Sequence, residues 1–345
     1  MPKGIKVMEI AVALSGGVDS SVAAYMLKEK GFDVVGITLK LYEDDSYIED
    51  AKRVAERLSI PLYIFDYTEE FKKTVVNYFF GTYKEGKTPN PCVYCNRFAK
   101  FKFLIERAEN LGIKNVATGH YAKRGNLNSH HVICKSHNAD KDQSYFLSFL
   151  TEEQIKRLIF PLEDIGSKFY TRKIAKKLGL PTAKKKESYE VCFIKGDYRS
   201  TFLKEHPNYG IGYFTLDGKR IKKHEGIFNY TVGQRKGLKV PYSEALYVEK
   251  IDPETFDIML STKDRLYKKS VIVRKVNEIF VPNREFKATA KLRSMMNDEP
   301  CRVYVEKDRF TLEFEKEQFA PAPGQVACVY LNDCVILSGF IEESF

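Results

Sequence analysis

The sequence predicts an α/β protein: a doubly wound parallel sheet, followed by a small central domain and a C-terminal β-barrel. Three observations carry that expectation. Buried-strand runs alternate with helical runs through the N-terminal half, the helical period then disappears, and short strands with turn signals fill the remainder. At 345 residues, 43% of them hydrophobic, the chain can bury a real core divided among about two or three domains.

The elements follow in order. Residues 8–14 (MEIAVAL) and 32–41 (FDVVGITLKL) read as buried strands separated by a helix, and the helical run DAKRVAERL leads to a strand at 60–66 (IPLYIFD). A helix near 97–111 leads to the strand-like KNVATGH at 114–120. Strands that alternate with helices in this way pair in parallel, because each crossover helix returns the chain to the same edge. From 151 to 190 the text turns helical and basic, and TRKIAKKLGLP reads as an amphipathic helix stopped by Gly179 and Pro181. The lysine run in TAKKKES reads as a loop, placed against phosphate by the cysteine that follows it. Further on, Asp217-Gly218 in YFTLDGKRI is a hairpin signal. In FKATAKLR, Phe286, Ala288, Ala290 and Leu292 alternate with Lys287, Thr289, Lys291 and Arg293, giving one apolar and one basic face. CRVYVEKDRFTLEFE reads as a hairpin and VACVYLNDCVILSGF as two more strands of a small barrel. The expected domains are 1–195, 196–268 and 269–345.

Charge narrows the partner class. Fifty-six Lys and Arg against 46 Asp and Glu give a net charge of +10, which favours a polyanion, although a merely solubilising surface has the same balance. No run reaches the ~18 apolar residues of a membrane span, and MPKGIKVMEIAVAL carries no signal-peptide cleavage pattern, so the expected compartment is the cytoplasm. There the seven cysteines read as thiols, metal ligands or catalysts rather than a disulfide framework. Cys134, Cys301, Cys328 and Cys334 lack chemical context, and a small buried hydrophobe is the expectation for the three on apparent strands.

The first strand leads into Ser15-Gly16-Gly17-Val18-Asp19-Ser20-Ser21 and then a helix. Two glycines let the backbone turn its N–H groups inward, the serines add hydroxyls, and the helix N-terminus adds partial positive charge, which together cradle phosphate. The loop has no Walker lysine and is not GxGxxG, so cleavage of a terminal phosphate is disfavoured. A tight strand-to-helix turn would share this outline. Asp19 fits a Mg²⁺ ligand beside a polyphosphate or a helix cap, and the two roles are compatible. The loop resembles the SGGxDS signature of the PP-loop ATP pyrophosphatases, a HUP-like fold whose members transfer AMP to a carbonyl oxygen and release pyrophosphate.

Adenylation makes a poor leaving oxygen a good one, and a thiolate or persulfide suits the attack that follows. The candidates are Cys95, in TPNPCVYCNRFAKFKFL, and Cys192, in KKKESYEVCFI. With SGGVDSSV, DAKRVAERLSIP, GKTPNPCVYCN, ATGHYA, KDQSYFL, KKLGLPTAKKKES with VCFI, HEGIFNYTVGQRKGL and APGQ in order, the chain resembles the tRNA-specific 2-thiouridylases along nearly its whole length.

The resemblance implies that ATP adenylates the 2-oxygen of the wobble uridine of tRNA, with Lys, Glu and Gln acceptors. It implies that Cys192 carries a persulfide received from a sulfur-donor protein, and that Cys95 is the nucleophile that releases the sulfur, the two ending as a disulfide. Carried over by position, the ATP site comprises Ala13, Leu14, Ser15, Gly16, Gly17, Val18, Asp19, Ser20, Leu39 and Gly119. The tRNA side comprises Asn90, Pro91 and Cys92 near the target base, with His120, Lys141, Asp142, Gln143, Arg293, Ser294 and Gln325. Cys92 departs from the family pattern, where many members carry aspartate. It creates Cys92-x-x-Cys95, which with Cys192 offers three thiolates for a [4Fe-4S] cluster as an alternative sulfur route. Two rivals are an amidating PP-loop synthetase, which has no use for reactive cysteines, and a non-catalytic tRNA-binding protein, which would release no pyrophosphate.

Overall fold

The computed structural model describes residues 8–42, 45–184, 191–193 and 209–345. These form two compact units, one from the described residues within 1–75, 92–189 and 332–335, the other from those within 76–91, 190–331 and 336–345. The expected boundary at 195 and the centre of the lysine run, Lys185 and Lys186, lie outside the described residues.

In the first unit, β1 (Glu9–Ala13), β2 (Asp33–Lys40), β3 (Leu62–Asp66), β4 (Asn115–Ala117) and a hairpin of β5 (Lys123–Leu127) with β6 (His130–Cys134) precede β7 (Leu158–Ile159). Strands β3-β2-β1-β4-β7 make one parallel sheet in that order. Ile10, Ala11 and Val12 are fully buried because helices cover both faces, which is why β1 is an unbroken apolar run. The helices Val18–Glu29 and Ser46–Leu58 pack their Val22, Ala23, Leu27, Val54 and Leu58 onto Ile10, Val12 and Leu14. Strand β3 is an edge, with Tyr63 and Ile64 exposed. The basic helix is Lys168–Lys177, and it ends as expected at Gly179 (φ 63°), where the Leu180 N–H returns to the Ala175 carbonyl.

The order also positions a site. The chain builds β1, β2 and β3 outward in one direction, then returns to lay β4 on the other side of β1. The connections leaving the carboxyl ends of β1 and β4 therefore diverge, opening the crevice where doubly wound sheets bind ligands. The loop Leu14–Gly17 leaves β1, and Thr118–His120 leaves β4.

The β5–β6 hairpin escaped the sequence reading because its turn residues, Asn128 and Ser129, take positive φ (47° and 67°) without a glycine to signal it. A correction concerns Cys134 and Cys334. Their expectation as context-free thiols fails, because Cys334 lies directly opposite Cys134 in antiparallel register and the two form a disulfide. A sequence separation of 200 hides that pairing from any local pattern.

The second unit holds two sheets. β8 (Tyr213–Leu216) and β9 (Lys219–Lys223) form the hairpin announced by Asp217-Gly218, both with positive φ. β10 (Tyr247–Ile251) and β11 (Ile258–Ser261) complete a sheet ordered β10-β11-β8-β9. Strands β12 (Tyr267–Glu278), β13 (Glu285–Lys291), β14 (Glu299–Val305), β15 (Arg309–Phe319), β16 (Val326–Leu331) and β17 (Cys334–Ser344) make a six-stranded antiparallel barrel, ordered β12-β15-β14-β13-β16-β17 and closed by β12 pairing with β17. Val271, Val303, Phe310, Leu312, Ala327 and Ile336 are buried within it, and closure leaves these strands no free edge.

Candidate functional site

The loop after β1 is braced from below. The Leu14 N–H bonds the Ile37 carbonyl, and the Thr38 hydroxyl donates to the Leu14 carbonyl at 2.8 Å. The Ser15 N–H donates to Ser20 Oγ (3.2 Å), whose hydroxyl donates to the Gly17 carbonyl (3.0 Å), as does that of Ser21 (2.8 Å). Gly16 must be glycine twice over: its φ is +64°, and a Cβ there would stand 2.2 Å from the Tyr47 carbonyl oxygen. Leu39 enters through its backbone, its carbonyl accepting the Tyr47 hydroxyl at 3.1 Å. The first N–H groups of the Val18–Glu29 helix lack partners four residues back, so they face the loop as anion donors.

Gly119 closes the site from β4. A Cβ on it would lie 2.5 Å from both the Asp19 carbonyl carbon and the Ser20 nitrogen, so only glycine lets the two loops meet. Asp19 sits in the first helical turn with both carboxylate oxygens engaged. Tyr121 donates to Oδ1 at 3.0 Å, and Lys168 Nζ stands 2.9 Å from Oδ2. Because the Tyr121 proton is committed to Asp19, the fully buried Thr171 donates to the Tyr121 oxygen at 2.7 Å. Sequence reading missed Lys168, Tyr121 and Thr171. One cue existed: a lysine opening a helix sits at the wrong end of its dipole and calls for a reason.

His120, beside Gly119, bonds Thr118 Oγ1 through Nδ1 at 2.9 Å and packs on Phe101. Burial of most of the ring, helped by the nearby Lys100 charge, pushes its pKa down to about 3, so it is neutral at pH 7. Asp142 and Gln143 act as internal struts. Asp142 accepts the Ser136 and Ser144 N–H groups and the Ser144 hydroxyl, and Gln143 Oε1 accepts the Tyr121 N–H. Lys141 beside them is half-buried.

In the second unit, Gln325 donates to the Thr88 and Pro89 carbonyls, and Gly324 (φ 89°) lies where a Cβ would be 2.7 Å from the Thr88 oxygen. The Pro323–Gln325 turn thus fixes the strip that carries the buried Asn90, followed by Pro91. Arg293 donates to the Val232 and Ala320 carbonyls, and Ser294 beside it is half-buried.

Cys92 is exposed and Cys95, at the end of the Pro91–Cys95 helix, is buried; both belong to the first unit. Cys192 belongs to the second and is exposed between Val191 and Phe193, which pack into its core, with Phe193 edge-on to Phe79 at 5.5 Å. That in-out-in pattern holds the thiol outward. Burial pushes the Cys301 thiol up to about 12, and Cys328 is fully buried. Iodoacetamide at pH 8 is therefore expected to label Cys92 and Cys192 first and Cys95 more slowly, leaving Cys301 and Cys328 unmodified until denaturation. Peptide mass spectrometry over time checks the order, and early labelling of Cys301 would contradict it.

Among the described residues no group of three or more His, Cys, Asp or Glu side chains could hold a metal ion. The [4Fe-4S] alternative on Cys92, Cys95 and Cys192 therefore gains no support. Magnesium on a polyphosphate asks less, because phosphates and waters supply most of its ligands beside one or two carboxylates, and Asp19 meets that need.

Comparison with known proteins bears on the whole chain. Residues 8–196 match the family described as tRNA methyl transferase HUP domain, 200–262 the tRNA methyl transferase PRC-barrel domain, and 268–341 the aminomethyltransferase beta-barrel domain. The tRNA-specific 2-thiouridylase MnmA of Clostridioides difficile (strain 630) is 38% identical, covering 97% of this chain and 98% of its own length. That of Rickettsia typhi (strain ATCC VR-144 / Wilmington) is also 38% identical, over 97% of this chain and 99% of its own. A solved NMN synthetase from Francisella tularensis aligns over 53% of this chain and 67% of its own at 18% identity, with a TM-score of 0.36.

Proposed function

The chain belongs to the tRNA-specific 2-thiouridylase family, and we propose that it forms 2-thiouridine at the wobble position of tRNA by adenylation followed by a two-cysteine sulfur relay. It is an ATP-using sulfurtransferase. The observation that carries the reading is the end-to-end likeness to these enzymes, with the lysine-free phosphate loop placed at the crevice between β1 and β4.

The steps follow from chemistry. Residues 13–20, with Leu39 and Gly119, hold ATP, and Asp19 supplies the carboxylate for the accompanying Mg²⁺, which when bound offsets phosphate charge. The uridine 2-oxygen attacks the α-phosphorus, the α–β anhydride bond breaks, and pyrophosphate leaves. The terminal sulfur of a Cys192 persulfide then attacks C2, expelling AMP with the original oxygen. Cys95 thiolate attacks Cys192 Sγ, which frees the base as 2-thiouridine and leaves a Cys95–Cys192 disulfide for an external thiol to reduce. A sulfur-donor protein recharges Cys192.

The tRNA is held by Asn90, Pro91 and Cys92 near the splayed uridine, with His120, Lys141, Arg293 and Ser294 along the chain. Neutral His120 serves there as a hydrogen-bonding group, not a charge. Asp142, Gln143 and Gln325, whose side chains bond backbone, shape the segments that touch tRNA. The three-part division at 195 and 268 assigns adenylation to the first part and tRNA grip to the barrel. Nucleoside mass spectrometry of unmodified wobble-uridine tRNA incubated anaerobically with ATP, Mg²⁺ and a persulfide donor tests the reading. New 2-thiouridine that requires ATP is expected, whereas an inert enzyme would overturn it.

A further inference from the structure

A phosphate loop without its own lysine leaves the charge of a polyphosphate to be met from elsewhere. The structure shows where a cation comes from. Lys168, 149 residues after Asp19, brings its ammonium within 2.9 Å of the Asp19 carboxylate at the rim of the loop. Its side chain is only 15% exposed and that of Asp19 only 26%, so this is not a loose surface pair.

Three features make the placement specific. Lys168 is the first residue of its helix, where the backbone dipole opposes a cation, and partial burial adds a desolvation cost. The helix is pinned at Asp19 by a second contact, the Thr171–Tyr121–Asp19 hydroxyl chain, which starts one turn further along. The Asp19 backbone is in turn fixed by the close approach of Gly119. The positive ends of two helices and one ammonium therefore meet beside Asp19, an arrangement that attracts an anion to the loop.

We propose that Lys168 is the polyphosphate-binding lysine of this loop, contacting the β- and γ-phosphates of ATP and stabilising the departing pyrophosphate. The inference rests on the adenylation reading above. When the α–β anhydride breaks, its electron pair passes to a β-phosphate oxygen, and the Lys168 ammonium, held by Asp19, donates a hydrogen bond to that oxygen while keeping its proton. Lys168 thus does from a distant helix what the loop lysine does in Walker-type sites. Asp19 and Lys168 act as a pair, the carboxylate holding the ammonium in place beside the loop.

Calorimetric titration of the full chain with Mg·ATP and with AMP tests it, comparing wild type, Lys168→Met, Lys168→Arg and the exposed-surface control Lys114→Met. A charge-assisted contact predicts that Lys168→Met weakens ATP about 10- to 100-fold while AMP changes less than about threefold. Lys168→Arg should recover most of the loss, and Lys114→Met should bind both as wild type does. A merely structural ion pair would weaken ATP and AMP together, or neither, and either result overturns the assignment. A variant-free check covers misfolding of Lys168→Met. In wild type, ATP and pyrophosphate should protect Lys168 from acetylation, read by peptide mass spectrometry, and AMP should not. Failure of wild type to bind ATP would overturn adenylation itself, whereas normal wild-type binding with unprotected Lys168 would remove only this role.

Discussion

Cys95→Ala and Cys192→Ala are each expected to lower 2-thiouridine formation by at least about 1,000-fold, because each removes a covalent step with no substitute. Both variants should still bind ATP and release pyrophosphate in the presence of tRNA, since adenylation precedes the sulfur steps and uses neither thiol. Cys92→Ala should remain active, because Cys92 has no place in the relay. Nucleoside mass spectrometry and a pyrophosphate assay on the same samples read both halves. If Cys92→Ala is as inactive as the other two, a three-thiol chemistry replaces the relay.

The second large effect belongs to Gly119. A Cβ placed 2.5 Å from the Asp19 and Ser20 backbones cannot be relieved by a side-chain rotation, so one of the two loops must move. Gly119→Ala should cost roughly 1–3 kcal/mol of stability and weaken ATP by about tenfold or more, because the displaced backbone carries the anion-binding N–H groups. Gly166→Ala is the matched control, since nothing lies within 4 Å of its Cβ position. Thermal melts and ATP titrations of the pair check it, and equal ATP affinities would show that the junction of the two loops does not shape the nucleotide site.

Much of the fold was legible because its signals are local. The apolar runs of β1 and β2, the Gly179 stop and the Asp217-Gly218 turn all encode their conformation within a few residues. Signals failed where partners are distant. Cys134 and Cys334 meet only because β6 and β17 pair in register, and Lys168 reaches Asp19 only through packing of the Val18–Glu29 and Lys168–Lys177 helices.

The site was legible in a mixed way. Gly16 and Gly119 could be named from sequence resemblance, but the reason each is glycine lies in what its Cβ would strike. Arg293 and Gln325 were expected at the tRNA, and no local pattern announces that their side chains also bond the backbone carbonyls of Val232, Ala320, Thr88 and Pro89. A residue type and a position cannot reveal which way a side chain points.

The account turns on the transfer of AMP to the uridine 2-oxygen, and an isotope label follows that oxygen directly. In tRNA carrying ¹⁸O at C2 of the wobble uridine, converted by this enzyme with ATP and a persulfide donor, mass spectrometry of the released AMP should find one ¹⁸O for each 2-thiouridine formed. Unlabelled AMP, with the ¹⁸O recovered in water instead, would contradict activation by adenylation.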